Sequence, residues 1–113
     1  MLKIYHNPRC QKSRQTLQLI QESGAEHVII DYLNQVPTAG ELKSLLQKLG
    51  ITAEALLRKS EQIYKEVYKG KNLTEEEWIN AMVNHPKLIE RPIVVKGDKA
   101  VLGRPPENVK QLL

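Results

Sequence analysis

The chain contains no phenylalanine, one tryptophan and one cysteine. Without Phe, a core must be assembled from Leu, Ile, Val and Ala, with Trp78 and four tyrosines as the only aromatic material. A lone cysteine, Cys10, cannot close an internal disulfide, which removes the oxidised small-scaffold class. No apolar run approaches bilayer-spanning length, and the chain opens directly into a short strand pattern rather than a signal peptide. Together these absences set the expectation of a cytoplasmic protein that does not engage a membrane.

Metal-ligand spacing is also missing. The three histidines, His6, His27 and His85, stand far apart, and no metal is expected. A dithiol redox site would need a second cysteine where Ser13 stands. A phosphatase-type loop would need arginine six residues after the cysteine, where Thr16 stands; Arg14 comes too early. Charge of one sign is thin, with 17 Lys+Arg against 13 Asp+Glu giving +4. The cations are scattered, without a basic block or aromatic interleaving, and Glu75-Glu76-Glu77 would repel phosphates. Nucleic acid is therefore not an expected partner, whereas a small anionic substrate suits the modest positive excess.

What is present is enough for one α/β domain over residues 1–113. Leu2-Lys3-Ile4-Tyr5 reads as a strand that Asn7-Pro8 breaks, and a helix follows from about Gln11 to Ser23, stopped by Gly24. The β-branched run His27 to Tyr32 reads as a second strand, parallel to the first because a helix joins them. Thr38 with Glu41, and Thr74 with Glu77, have the form of capping boxes. They frame a helical insertion at about 38–86, in which residues 53–85 read as helical in pieces, with Trp78, Ile79, Met82 and Val83 facing a core. Pro92 to Lys96 and Lys99 to Leu102 form a hairpin about Gly97-Asp98, and Glu107 to Leu112 a last short helix. The order is β-α-β, a helical insertion, then β-β-α.

Cys10 falls at the first strand-to-helix junction, where unpaired N–H groups and the helix dipole favour a thiolate. Free cysteine is ordinarily a small buried hydrophobe. Here its neighbours are Arg9, Gln11, Lys12, Ser13 and Arg14, a polar and cationic setting that reads as a reactive thiol.

The stretch Tyr5-His6-Asn7-Pro8-Arg9-Cys10-Gln11-Lys12-Ser13-Arg14 resembles the active-site loop of the glutaredoxin-linked arsenate reductase (ArsC-like) family. Leu56-Leu57-Arg58-Lys59, Arg91-Pro92-Ile93-Val94-Val95 and Gly103-Arg104-Pro105 match in the same order, so the resemblance spans nearly the whole chain. The chain stops soon after the last motif, as in a short, YfgD-like branch, and it carries Arg9 where other members often have a small residue.

The resemblance implies a thioredoxin-like fold with a four-stranded mixed sheet, and a reductase that turns arsenate into arsenite. Cys10 would be the nucleophile, forming a covalent thiol-arsenate adduct, with His6 supporting the thiolate. Arg58, Arg91 and Arg104 would bind the oxyanion, and Ser13 and Asn7 would donate hydrogen bonds. Pro92 matches a cis-proline. No bound cofactor is implied; glutathione enters as co-substrate and glutaredoxin as partner, and a monomer suffices for the chemistry.

Each of these side chains also has an ordinary reading. Arg58 suits a solvated helix, Arg91 a loop and Arg104 a turn, and His6 could be a hydrogen-bonded imidazole. Three other functions stay open: a transcription-associated regulator like the Spx branch, which binds RNA polymerase; a thiol oxidoreductase with another substrate; and a module that holds an oxyanion without chemistry. The single cysteine argues against the disulfide switch that such regulators often use.

Overall fold

The computed structural model describes residues 1–113. The chain divides into two compact units, one formed by Met1–Gln35 with Arg91–Leu113 and the other by Val36–Glu90.

The first unit opens with β1 (Leu2–His6), α1 (Gln11–Ser23) and β2 (His27–Asp31), and resumes with β3 (Ile93–Lys96) and β4 (Lys99–Leu102). The sheet order is β2-β1-β3-β4. β1 and β2 are parallel, with Leu2 opposite His27 and His6 opposite Asp31, while β1–β3 and β3–β4 are antiparallel. This is the mixed four-stranded α/β sheet expected of a thioredoxin-like fold.

Alternation along β1 buries Leu2, Ile4 and His6 and leaves Lys3 exposed. In β3, Ile93, Val94 and Val95 are all buried, as a central strand covered on both faces requires. The core joins Leu2, Ile4 and Val94 of the sheet to Ile20 of α1 and to Val109 and Leu112 near the C-terminus, with Leu17 packed at its margin. Each such side chain contributes roughly 1.5–3 kcal/mol by leaving water. α1 stops where Gly24 turns left-handed at φ 76 and donates its N–H to the Gln21 carbonyl.

The C-terminal segment Pro106–Leu112 is a 3-10 helix rather than an α-helix. Its buried residues are Pro106, Val109 and Leu112, spaced by three, and a three-residue turn alone puts them all on one face.

The second unit contains α2 (Ala39–Leu49), α3 (Ala53–Leu56), a π-helical turn (Tyr64–Tyr68), α4 (Glu75–Asn84) and a 3-10 turn (Pro86–Leu88). The capping box forms in full at α4, where Thr74 and Glu77 exchange hydrogen bonds of 3.0 and 3.2 Å. At α2 only half forms: Thr38 accepts the Glu41 N–H, but the Glu41 carboxylate accepts the Thr38 hydroxyl instead of its N–H. The stretch from 53 to 85 is less helical than expected, because Leu57 pairs with Ile89 in an isolated antiparallel bridge. Trp78, Ile79 and Met82 are buried as expected. No helix is long and apolar enough to cross a membrane.

Candidate active site

Cys10 is the N-cap of α1, with extended backbone (φ −94, ψ 122). Two turns deliver it there. Its N–H donates to the Asn7 carbonyl at 3.0 Å, and its carbonyl accepts the Arg14 N–H at 3.0 Å, the first bond of the helix. The Asn7 side-chain oxygen accepts the Arg9 N–H at 3.0 Å, and Arg14 Nη1 donates to the Pro8 carbonyl at 2.9 Å. Asn7, 8% exposed, thus shapes the loop backbone around the cysteine.

His6 and Ser13 lie beneath this loop. Ser13 is fully buried; its Oγ sits 2.6 Å from His6 Nδ1 and accepts the Asn7 N–H at 3.1 Å. The Ser13 hydroxyl therefore pins the end of β1 to the first turn of α1, and the Ser13 amide is the group that acts on the sulfur. Burial holds the His6 pKa below its ordinary value; the Asp31 carboxylate raises it and Arg14 lowers it further, and the net direction is down. Asp31 is placed to do so because it stands opposite His6 in the parallel ladder.

At Cys10, burial pushes the thiol pKa up, but the Ser13 amide, a hydrogen bond and Coulomb attraction from Arg91, and the Lys12 amide outweigh it, so the net shift is downward. Neither amide reaches full capping geometry with the sulfur; both favour the anion as dipoles aimed at it. Arg104 also converges on the site, with Nη1 3.9 Å from Cys10 Sγ and 3.1 Å from the Arg91 carbonyl. Arg91 and Arg104 each precede a proline across a cis peptide bond.

Two residues that the sequence reading left unassigned hold this arrangement. The Gly103 N–H donates to the Pro92 carbonyl at 2.9 Å. A Cβ at Gly103 would collide with Thr16 and would lie 2.7 Å from Pro92 Cγ. Thr16, fully buried on α1, donates its hydroxyl to the Lys12 carbonyl at 2.8 Å and lies 3.4 Å from the Gly103 carbonyl. The close approach of residues 103 and 16 sets Arg104 beside the start of α1. The one sequence signal for it was a glycine directly before the arginine in Gly103-Arg104-Pro105.

Arg58 belongs to the second unit. Its Nε lies 3.3 Å from Glu61 and its Nη1 3.0 Å from Glu90, all three side chains being about three-quarters buried. Its N–H donates to the Leu88 carbonyl at 2.7 Å. The guanidinium is thus fixed by two carboxylates rather than free in solvent.

A nucleophile with a lowered pKa, next to two guanidinium groups that can fork onto an anion, is equipped to attack an oxyanion and stabilise the charge that develops on it.

The family model described as "ArsC family" matches residues 5–112. An arsenate reductase of Haemophilus influenzae is 43% identical over 112 residues, covering 97% of this chain and 97% of that protein. The uncharacterized protein YfgD of Escherichia coli is 49% identical over 114 residues, covering 99% of this chain and 96% of that one. Among solved structures, the arsenate reductase from Vibrio cholerae superimposes with a TM-score of 0.95 at 46% identity, covering 99% of this chain and 97% of that chain.

Proposed function

This chain belongs to the ArsC family, and from that premise we propose that it is an arsenate reductase in which Cys10 is the nucleophile. The observation that carries the reading is the convergence of Arg91, Arg104 and the first-turn amides on one ionisable sulfur. Relatives of nearly the same length that bear the name arsenate reductase support the substrate.

The Cys10 thiolate attacks arsenic and expels a protonated oxygen as water, leaving a thiol-arsenate ester. Arg91 and Arg104 bind the remaining oxygens. Their interaction strengthens as charge builds in the transition state. His6, kept neutral at pH 7 by its lowered pKa, holds Ser13 and so keeps the amides aimed at sulfur. A second thiol then joins the arsenic; we assign glutathione to this step and glutaredoxin to resolving the mixed disulfide. Overall, arsenate and two thiols give arsenite, a disulfide and water, with arsenic gaining the two electrons that the sulfurs lose. With one cysteine per chain the second sulfur must come from another molecule, and a single copy holds every residue named.

The test is arsenate-dependent NADPH consumption in a coupled assay with glutathione, glutaredoxin and glutathione reductase. Wild type turns over and Cys10→Ser, still folded, does not. Retained turnover in that variant would sink the assignment.

A further inference from the structure

β2 is an edge strand: β1 covers one side of it and no strand covers the other. Edges of soluble sheets are usually blunted by lysine, proline or a bulge. β2 reads His27-Val28-Ile29-Ile30-Asp31, with none of these and a continuous register to β1. β4, at the opposite edge, carries Lys99. Val28 and Ile29, on alternate faces of β2, are 41% and 46% exposed, among the few large apolar side chains left to water.

The direction of the unpaired backbone groups follows from the ladder. The Leu2 N–H donates to the Glu26 carbonyl, so residues 26, 28 and 30 turn their polar groups toward β1. His27, Ile29 and Asp31 turn theirs outward. The Asp31 carbonyl is already occupied by the N–H groups of Asn34 and Gln35 at 3.1 and 2.7 Å.

We propose that the free edge of β2 pairs antiparallel with β2 of a second copy, about a two-fold axis at Ile29. In that register Ile29 faces its own symmetry mate and exchanges both ladder bonds with it, while each Asp31 N–H reaches the opposing His27 carbonyl. The occupied Asp31 carbonyl is not needed as the principal acceptor. On one face His27 stands opposite Asp31 at both ends, an imidazole against a carboxylate; on the other, Val28 meets Ile30. Opposed side chains in such pairs lie close enough to interact directly. The strand is therefore complementary to itself in polar and in apolar content, as a closed two-fold contact requires. The contact is one short strand per copy, below the ~1,000 Å² of a durable interface, so the dimer is a weak, exchanging one. The inference does not rest on the proposed reaction.

Sedimentation equilibrium on the intact protein, at loading concentrations up to about 1 mM, tests it. Wild type forms a monomer–dimer equilibrium. Ile29→Lys, His27→Asp and Asp31→Lys, each checked for native circular dichroism, weaken it about tenfold or more. Mixing His27→Asp with Asp31→Lys restores association, because in the mixed pair each introduced charge meets its opposite. A wild type that stays monomeric throughout overturns the proposal, as does a dimer indifferent to Ile29→Lys or a mixture that fails to associate. Should His27→Asp or Asp31→Lys misfold, Ile29→Lys alone decides against the wild type.

Discussion

Cys10 Sγ stands under opposed influences: burial favours the neutral thiol, while the Ser13 and Lys12 amides and the Arg91 guanidinium favour the anion and prevail. The alkylation rate with iodoacetamide should therefore rise with pH through a midpoint below that of an ordinary thiol. In Arg91→Ala that midpoint should move up, and kcat/KM for arsenate should fall about 10²- to 10³-fold, the usual effect of losing one donor to a developing oxyanion. An unmoved midpoint would mean that the guanidinium does not sense the sulfur. Cys10, Arg91 and Arg104 could be named from the sequence because a motif flags each of them. The packing of Thr16 against Gly103 and the influence of Asp31 on His6 could not. Each depends on which residues the fold brings face to face across long sequence separations, and no local pattern records that.

At the level of elements, α1 begins on a sulfur where most helices begin on an oxygen. Its position relative to Arg104 is set by the contact of Thr16 with Gly103. Gly103→Ala should destabilise the protein by about 1–3 kcal/mol through overpacking against Thr16 and Pro92, and should lower turnover by shifting Arg104. Denaturant unfolding and the coupled assay measure the two effects; wild-type stability would show that the contact yields. The strands and α1 were legible because proline, glycine and β-branched runs mark their limits. The π-helical turn and the C-terminal 3-10 helix were not, since both differ from an α-helix only in the spacing of hydrogen bonds, which packing decides. The same holds at Thr38, whose sequence predicts a reciprocal cap that Glu41 completes only by half.

Across the molecule, every resolved pKa shift is downward: at Glu77, through its bonds to Thr74; at His6, through burial; and at Cys10, where amides and Arg91 overcome burial. In each case the unfolded chain binds its proton more tightly than the folded one, so stability rises with pH. The His6 contribution is fully present above its ordinary value of 6.5 and is lost as pH falls toward the lower folded value. The Cys10 contribution is complete only above 9.0. Urea unfolding should therefore show stability climbing from acid to mildly alkaline pH, with the upper part of the climb missing in Cys10→Ser and the part below neutrality flattened in His6→Asn. A level profile would contradict both shifts.

The unit that holds the nucleophile is discontinuous, with Cys10 in its first segment and Arg91 and Arg104 in its second. A ribosome extrudes these parts in order, so the cysteine emerges well before either arginine. Until β3 closes on β1, the sulfur lacks the guanidinium that helps hold it as an anion. The nascent chain thus carries a comparatively dull thiol, and it acquires its reactive one only after Arg91 has emerged and β3 has paired with β1.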